Sequence, residues 1–343
     1  MPDLTPSVSV VVVVFRHPAS TVAQLLNVLA LQTTLVTEVI LVDNSGDTEL
    51  GGVARESSLK VRVITPGANV GYAHACNLAV AASTCDWVFF VNPDAVPELD
   101  VLEILLGAAD QRTAVVGAQI LLPGGEMVNA GDNPLHISGL SWSGRYLEQP
   151  EHGSPRDVAV ASGTALLARR ADFNELGGYH PDYFMYHDDV DLAWRARMAG
   201  RRVLLAPRAV VLLHYEFDKG GYKWFWLERN RLWTILSHYE MKTLILLSPL
   251  LMLVELAILG QSVREGWWRE KVRGWLAVAN SWGDLVSWRA HVQAHRQVSD
   301  VDLVGAMTGK LVSPSMNAPG LEAASWAMER YRRWLILVLR ALR

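Results

Sequence analysis

The chain has 343 residues, enough for one large domain or two modest ones. Half of the residues are hydrophobic and 19% are charged, a composition that excludes an intrinsically disordered protein. Residues 1–240 contain 18 basic and 27 acidic side chains, whereas residues 241–343 contain 13 and 8 and are rich in tryptophan. Because a basic, tryptophan-rich segment is typical of contact with an anionic membrane surface, this asymmetry is the first indication of function.

Several classes of protein are excluded by motifs that the chain lacks. The two cysteines, Cys76 and Cys85, have neither the spacing of a disulfide framework nor that of a zinc site, so we expect both to be buried small side chains. The first residues lack the basic region and cleavage site of a signal peptide, and we expect a cytoplasmic protein. Without a serine elbow or a phosphate-binding loop, hydrolases and ATPases are disfavoured. No nucleic-acid partner is expected.

Apolar strands and amphipathic helices alternate along the first 240 residues. The run Val8–Phe15 is continuously apolar and β-branched, as in a parallel strand covered on both faces. Further strands are predicted at Glu38–Val42, Val61–Thr65, Trp87–Val91, 114–122, Ala159–Ala168, Arg202–Leu205 and Ala209–His214, and helices at 20–31, 74–82, 96–110, 188–200 and 223–239. This alternation predicts an α/β fold with a mostly parallel sheet flanked by helices. The stretch 123–160, rich in glycine, proline and serine, is expected to cap a site.

The last hundred residues predict amphipathic helices. Thr243–Gly260 is apolar apart from two small residues and Glu255, and is marginal in length for a membrane span. A helix lying in the membrane interface is therefore favoured over a spanning one. Trp268, Trp275 and Trp282 recur every seven residues, which predicts one helical face, and the tail 331–343 alternates leucines with arginines. The alternative is that these helices pack on the core or on a second subunit.

Polar residues follow several of the predicted strands. Asp43 follows the second strand, Asn69 and Gly71 follow the third, Asp94 follows the fourth, and His214 ends a late one. Ligands of open α/β sheets bind at this edge, although a lone carboxylate there is often only a helix cap. Asp94 is suited to Mg²⁺ or Mn²⁺, with His214 as a second ligand, and a bound cation would neutralise a departing diphosphate. A core histidine is the alternative for His214.

Two further polar segments lie on predicted helices. Asp188 and Asp189 are adjacent at a helix start, where mutual repulsion raises one pKa and favours a general base. We favour Asp189 as the base, with Asp188 as helix cap in the alternative interpretation. Arg229 and Arg231 lie on one helical turn and have the fork geometry that binds diphosphate. A surface salt bridge to a neighbouring glutamate explains the two arginines equally well.

An ordered series of short motifs connects these residues to a known family. The motifs are Val42-Asp43-Asn44-Ser45, Asn69-Val70-Gly71-Tyr72 with Asn77, Asn92-Pro93-Asp94-Ala95, Ser162-Gly163-Thr164, Gly177-Gly178-Tyr179, Phe184-Met185-Tyr186 and Asp188-Asp189-Val190-Asp191-Leu192. Over about residues 6–240, their order and spacing resemble the family 2 glycosyltransferases, which are inverting enzymes with a nucleotide-sugar-binding fold of the GT-A type. Within that family the chain is most similar to bacterial rhamnosyltransferases. These typically use dTDP-L-rhamnose, and some act on polyprenyl-diphosphate-linked sugars.

The resemblance assigns roles to individual residues. It implies that Asp43 contacts the base and Asn92 the ribose, that Asp94 and His214 hold Mg²⁺ or Mn²⁺, and that Asp189 is the catalytic base. We also expect donor contacts from Phe15, Asn69, Gly71, Asn77, Gly163, Arg229 and Arg231. Asn92 stands where the family often has an aspartate, and Asp188 where it often has a glutamate. The Gln-x-x-Arg-Trp element of processive members is absent, which favours addition of a single sugar.

The expected protein is therefore a metal-dependent glycosyltransferase with two domains. Residues 1–240 would bind the nucleotide sugar, and residues 241–343 would associate with the membrane or form an oligomer. We expect a peripheral protein at the inner face of the cell membrane, where a lipid-linked acceptor in wall or surface polysaccharide assembly is available. Another hexose or galactofuranose as donor sugar, and a catalytically inactive nucleotide-sugar-binding scaffold, are the alternatives.

Overall fold

The buried apolar runs of the first 212 residues form a mixed, mostly parallel β-sheet. The computed structural model describes residues 6–46, 49–213, 220–312 and 320–342. The strands are β1 (Val8–Val14), β2 (Glu38–Asp43), β3 (Val61–Ile64), β4 (Trp87–Val91), β5 (Val96–Pro97), β6 (Thr113–Leu121), β7 (Val128–Ala130), β8 (Asp132–Asn133), β9 (Arg156–Asp157), β10 (Val160–Ala161), β11 (Ala165–Arg169) and β12 (Arg202–Leu212). Most residues of β1, β2, β4 and β6 are fully buried, as expected for strands covered on both faces.

The strand order explains why the site lies at one edge. Along the sheet the strands follow the order β3-β2-β1-β4-β11-β6-β12-β5. The first four are parallel, so the carboxyl ends of β1, β2 and β4 share one edge. β11 runs antiparallel to both β4 and β6, which brings the residues just before β11 to the end of β4. The expected mostly parallel α/β sheet is confirmed.

Helices flank the sheet and continue through the rest of the chain. They are α1 (Ala19–Ala30), α2 (Leu50–Glu56), α3 (Tyr72–Ala82), α4 (Val101–Ala108), α5 (Arg170–Glu175), α6 (Asp188–Met198), α7 (Tyr222–His238), α8 (Met241–Glu265), α9 (Trp268–Asn280), α10 (Trp282–Ala294), α11 (Asp300–Ala306) and α12 (Leu321–Ala341). On α1 the residues at helical spacing, Val22, Leu25, Leu26 and Leu29, are buried in the main hydrophobic core. The periodicity of this segment therefore predicted both its structure and its buried face.

The chain divides into two compact units. The first, called the sheet unit, comprises the described parts of Met1–Asn133, Ser143–Ala193 and Arg201–Tyr215. The second, called the helical unit, comprises those of Pro134–Trp142, Trp194–Gly200 and Glu216–Arg343. Helix α7 belongs to the helical unit although it precedes residue 240. The functional division at residue 240 stays a prediction.

Two local predictions are wrong and one is confirmed. The two short strands expected after residue 201 are one strand, β12, with an irregularity between Ala206 and Val210 that interrupts its pairing to β6. The three tryptophans spaced by seven do not share one helix, because α9 ends before Ser281 and Trp282 begins α10. Cys76 and Cys85 are buried free thiols, as expected.

A buried cluster of charges joins three helices of the helical unit. Arg231 on α7 binds Glu228, 2.7 Å away, and also Glu255 on α8. Lys271 on α9 is fully buried and binds both glutamates, with 2.6 Å between its Nζ atom and Glu255. Burial alone raises the pKa of Glu228, but Arg231 and Lys271 outweigh it and hold that pKa at about 2. The charges of two carboxylates and two cations thus balance each other inside the helical unit.

Replacing Lys271 tests how much this cluster stabilises the fold. We expect Lys271→Met to lower the free energy of unfolding by about 3–5 kcal/mol, because it leaves the buried Glu228 and the partly buried Glu255 with one cation. Arg273→Met is the matched control, since Arg273 lies on the same helix and pairs with Glu270 while its side chain is 64% exposed. The control should cost less than about 1 kcal/mol. Urea unfolding followed by tryptophan fluorescence measures both, and equal losses would contradict the assigned role.

Candidate active site

Residues that follow three parallel strands meet at the carboxyl edge of the sheet. Phe15 follows β1 and is 39% exposed, Asp43 is the last residue of β2, and Asn92 follows β4. The backbone N–H of Asn92 donates a hydrogen bond to the Thr164 carbonyl oxygen at 3.0 Å, which ties the end of β4 to the turn before β11. The structure therefore brings these three predicted residues to one edge, as parallel strand ends require.

A small pocket surrounds Asp43. Its lining includes Val14, His17, Ser45 and Leu50. The Asp43 side chain is buried: its Oδ1 atom accepts a hydrogen bond from the Ser45 N–H at 3.0 Å, and its Oδ2 atom has no partner among the described residues. The Nδ1 atom of His17 is likewise buried and without a described partner. Because orphaned buried polar atoms are costly, both are suited to pair with a ligand.

His17 is a candidate that the sequence analysis missed. It lies two residues beyond the strand-end residue Phe15, and only the pocket geometry relates it to Asp43. A carboxylate acceptor beside an imidazole nitrogen matches the N–H and C=O groups on the edge of a pyrimidine dione. The two residues therefore offer a carboxylate oxygen and an imidazole nitrogen to a ligand with that pattern.

The loop between β3 and α3 depends on a glycine. Gly71 has a φ angle of +83°, and a Cβ atom at this position would lie 2.4 Å from the Phe184 carbonyl oxygen. The Oδ1 atom of Asn69 accepts a hydrogen bond from the Gly71 N–H at 3.0 Å, and the Asn44 side-chain amide donates to the Gly71 carbonyl at 3.2 Å. The chain at Gly71 thus lies between the Asp43-Asn44 turn and the segment that leads to the acidic pair.

Asn77 holds the segment before the acidic pair. Its Nδ2 atom donates to the Tyr179 carbonyl at 2.8 Å, and its Oδ1 atom accepts from the Tyr179 N–H at 2.9 Å. Gly178, with a φ angle of +70°, lies so close that a Cβ atom would come 2.6 Å from Asn77 Oδ1. Both ends of the Asn77 amide are therefore used by backbone, and the geometry supports a positioning role for the residue.

The acidic pair begins helix α6. Tyr186 and His187 both have left-handed backbone angles, with φ near +65°, which is rare for such side chains and turns the chain into the helix. The Asp189 carboxylate accepts hydrogen bonds from the backbone N–H groups of Gly163 at 3.0 Å and of Val190 at 2.8 Å. This contact joins the helix start to the turn whose next residue, Thr164, is bound to Asn92.

The two carboxylates of the pair differ in environment. Asp188 is buried, and its Oδ2 atom has no hydrogen-bond partner among the described residues. Burial, reinforced by the neighbouring charge of Asp189, raises the pKa of Asp188 to about 7. Burial also raises the pKa of Asp189, although its backbone hydrogen bonds oppose the shift. The pair is thus poised to accept a proton near neutral pH.

Asp94 is available to a cation. It lies two residues beyond Asn92, is exposed, and has no hydrogen bond or ion pair with any described residue. Among the described residues no group of three or more histidine, cysteine or acidic side chains could hold a metal ion. A single carboxylate nevertheless fits Mg²⁺ or Mn²⁺, which take most of their ligands from substrate phosphates and water. His214, the predicted second ligand, lies outside the described residues.

The arginines predicted to bind diphosphate belong to the helical unit. Arg231 is buried in the charge cluster with Glu228 and Glu255, and its Nη1 atom donates to the Ser138 carbonyl at 2.9 Å. The salt bridge to Glu228 that the sequence left open is present, but it is buried. Arg229 lies over the Trp233 ring, 4.5 Å from its centre, and donates to Asn230. These contacts favour the structural interpretation of both arginines.

Solved structures share this fold. The crystal structure of GalNAc-T7 with UDP, GalNAc and Mn²⁺ matches with a TM-score of 0.59 and 16% identity, covering 70% of this chain and 49% of that one. The S. aureus protein TarS, residues 1–349 with UDP-GlcNAc, matches with a TM-score of 0.54 and 15% identity, covering 98% and 92%. The chain therefore has a GT-A-like fold.

Sequence comparison defines the family. Residues 9–177 match the model of glycosyl transferase family 2. The N-acetylglucosaminyl-diphospho-decaprenol L-rhamnosyltransferase of Mycobacterium tuberculosis is 31% identical over 246 residues, covering 64% of this chain and 79% of that protein. The Escherichia coli rhamnosyltransferase WbbL is 25% identical over 180 residues, covering 46% and 68%. The chain belongs to glycosyl transferase family 2 and is a glycosyltransferase, so the expected family and enzyme class are confirmed.

Replacing Gly71 tests the close approach at the site. We expect Gly71→Ala to weaken donor binding at least tenfold, because the added Cβ atom would force the loop away from Phe184. Gly67→Ala is the matched control: Gly67 has nearly the same φ angle, +84°, but no atom lies within 4 Å of the added Cβ. The control adds only the conformational cost of a side chain at a positive φ angle, about 1–2 kcal/mol. Calorimetric binding measures both, and equal effects would mean that backbone strain alone matters.

Proposed function

We propose that the protein transfers L-rhamnose from dTDP-rhamnose to a hydroxyl group of a lipid-linked glycan, with inversion at the anomeric carbon. The observation that carries the proposal is the Asp188-Asp189 pair, fixed by Gly163 at the carboxyl edge of a family 2 sheet. The name of the mycobacterial relative supports rhamnose as the sugar and a diphospho-polyprenol as the acceptor anchor. Such an acceptor is presented at the inner face of the cell membrane, where we expect the protein to be peripheral.

The pocket at Asp43 supports a thymidine or uridine nucleotide. The free Oδ2 atom of Asp43 would accept the N3–H of the base, and His17 would donate to a neighbouring carbonyl. Asn92, two strands away from Asp43 on the same edge, would contact the ribose, and Gly71 and Gly163 would leave room for the backbone to approach the donor.

The acidic pair would carry the proton transfer. Asp189 accepts the proton of the acceptor hydroxyl while the oxygen forms a bond to the anomeric carbon and the bond to the diphosphate breaks. Backbone N–H groups orient the Asp189 carboxylate, and burial raises its pKa and so makes it more basic. Asp94 would hold Mg²⁺ or Mn²⁺, which stabilises the charge on the departing nucleoside diphosphate.

Donor binding measured by calorimetry tests the proposed substrate. We expect dTDP-rhamnose to bind more tightly than UDP-glucose, UDP-galactofuranose or GDP-mannose, and more tightly with Mn²⁺ than without it. Asp43→Asn should weaken binding about tenfold to a hundredfold at any metal concentration, because a charged hydrogen bond is lost. Asp94→Asn should instead remove the effect of Mn²⁺.

The outcomes of this titration are distinct. Preference for another donor would replace rhamnose but keep the site, and absence of binding by every donor would overturn the nucleotide-sugar site as a whole. Binding without turnover in the presence of a lipid-linked acceptor would support the inactive scaffold instead.

The pH dependence of transfer tests the acidic pair. The carboxylates must be ionised to act, and burial raises the pKa of Asp188 to about 7 and that of Asp189 above its ordinary value. We therefore expect kcat/KM to rise with pH and to level off above about 7. Asp189→Asn should lower kcat by about 10²–10⁴ while donor affinity is kept. Asp188→Asn should remove the titration near pH 7 and leave a rising limb set by Asp189 alone, because the pKa of about 7 belongs to Asp188.

An aspartate at a similar helix position provides the control. Asp284 lies in the first turn of α10 and is exposed, so Asp284→Asn should change neither kcat nor the pH profile. Activity of Asp189→Asn within tenfold of the unaltered enzyme would transfer the role of base to Asp188 or to water.

A further inference from the structure

The helical unit exposes a long apolar surface on α8. This helix is the one among the described residues that is long and apolar enough to cross a membrane, by length and composition. Only 22% of the most apolar 18-residue stretch of this helix is buried. Ile245, Met252, Leu253 and Leu256 are each more than half exposed, and no charged side chain lies on that face between residues 243 and 260. Exposed apolar surface of this extent indicates a binding surface.

The opposite face of α8 is held by protein. Thr243, Leu247, Leu250 and Val254 form a buried stripe along the helix. Glu255 extends from the same helix to Lys271 at 2.6 Å, and its Oε2 atom also accepts a hydrogen bond from the Trp275 indole at 2.7 Å. A helix that crossed a bilayer would have to break these contacts and take a carboxylate into hydrocarbon. The contacts therefore leave one face of α8 for lipid.

Helix α12 adds a basic, aromatic face beside α8. The Tyr331 hydroxyl donates to the Leu246 carbonyl, so the two helices touch. The exposed face of α12 combines aromatic, apolar and basic residues at helical spacing: Trp326, Arg330, Arg333, Trp334, Leu337 and Arg340. The buried face contains Leu335 and Leu339. Exposed tryptophans with arginines are the composition of helices that lie at the level of lipid headgroups.

We propose that the exposed faces of α8 and α12 form one surface that lies flat on an anionic bilayer, with α8 in the membrane plane and the α12 arginines on lipid headgroups. The inference rests on the proposed function in that a lipid-linked acceptor requires access to a membrane. The positive charge of the α12 face favours an anionic bilayer over a second copy of the chain as the partner of this surface. In a two-fold dimer the arginines of one α12 would meet the same cationic face of the other.

Vesicle flotation tests the surface without any substrate. The full-length protein should bind phosphatidylcholine vesicles that contain phosphatidylglycerol, bind weakly to vesicles without it, and dissociate in high salt. The triple variant R330Q/R333Q/R340Q should lose about a hundredfold in partition coefficient, since each arginine near the surface contributes about fivefold. The pair L253S/L256S should lose at least tenfold.

Matched variants on the sheet unit control for charge and exposed leucine. R55Q/R112Q/R208Q removes three exposed arginines there, and L31S/L35S removes two exposed leucines. Both should bind vesicles as the unaltered protein does. Because none of the altered side chains lies in the proposed catalytic machinery, all variants should keep transfer to a short-chain, water-soluble acceptor. Failure of transfer with normal vesicle binding would overturn the proposed function and leave this inference standing.

Three results would overturn the inference. If the α12 variant bound vesicles as well as the control, the arginines would not contact lipid. Vesicle binding that resisted high salt would indicate that α8 is inserted through the bilayer. If L253S/L256S converted a dimer to a monomer in sedimentation velocity without losing vesicle binding, a second copy of the chain would be the partner of this face.

Discussion

The hydrogen bond from the Gly163 N–H to the Asp189 carboxylate joins two parts of the sheet unit that are distant in sequence. Asp189 is the second residue of α6, whereas Gly163 lies in the turn before β11, next to the end of β4. Since Thr164 in the same turn binds Asn92, the acidic pair is fixed relative to the strand end that precedes Asp94. Without this bond the carboxylate would keep its hydrogen bond from the Val190 N–H but would lose its tie to the turn at the end of β4.

Close packing of backbone supports that bond from the other side. The left-handed residues Tyr186 and His187 direct the chain into α6, and just before them the Phe184 carbonyl rests on Gly71. Asn77 binds the backbone of Tyr179 in the same segment. Strained backbone angles persist where the surrounding structure determines them, and here a glycine and an amide do so. Positioning of the acidic pair is thus distributed over several residues of the sheet unit.

The sequence predicted the parts of this arrangement that depend on local pattern. Apolar runs predicted the central strands, and polar residues at their ends predicted the edge on which Asp43 and Asn92 meet. It could not predict contacts that arise only when distant segments pack. One partner of Arg231 lies on another helix and one on its own. The buried nitrogen of His17 is identified as a candidate only by its place beside Asp43 in the pocket. The helix break at Ser281 separates tryptophans whose spacing of seven predicted a single helix.

Glu255 illustrates how one residue changes meaning between sequence and structure. In the sequence it interrupts an apolar stretch and argues against a spanning helix. In the structure its carboxylate binds Arg231 on α7 and Lys271 on α9, and these cations lower its pKa although burial would raise it. The charge that makes the stretch a poor span is therefore the group that fixes the helix in the helical unit. Because that anchoring occupies one face, it also leaves the apolar residues of the other face exposed, which is the condition for contact with a surface outside the protein.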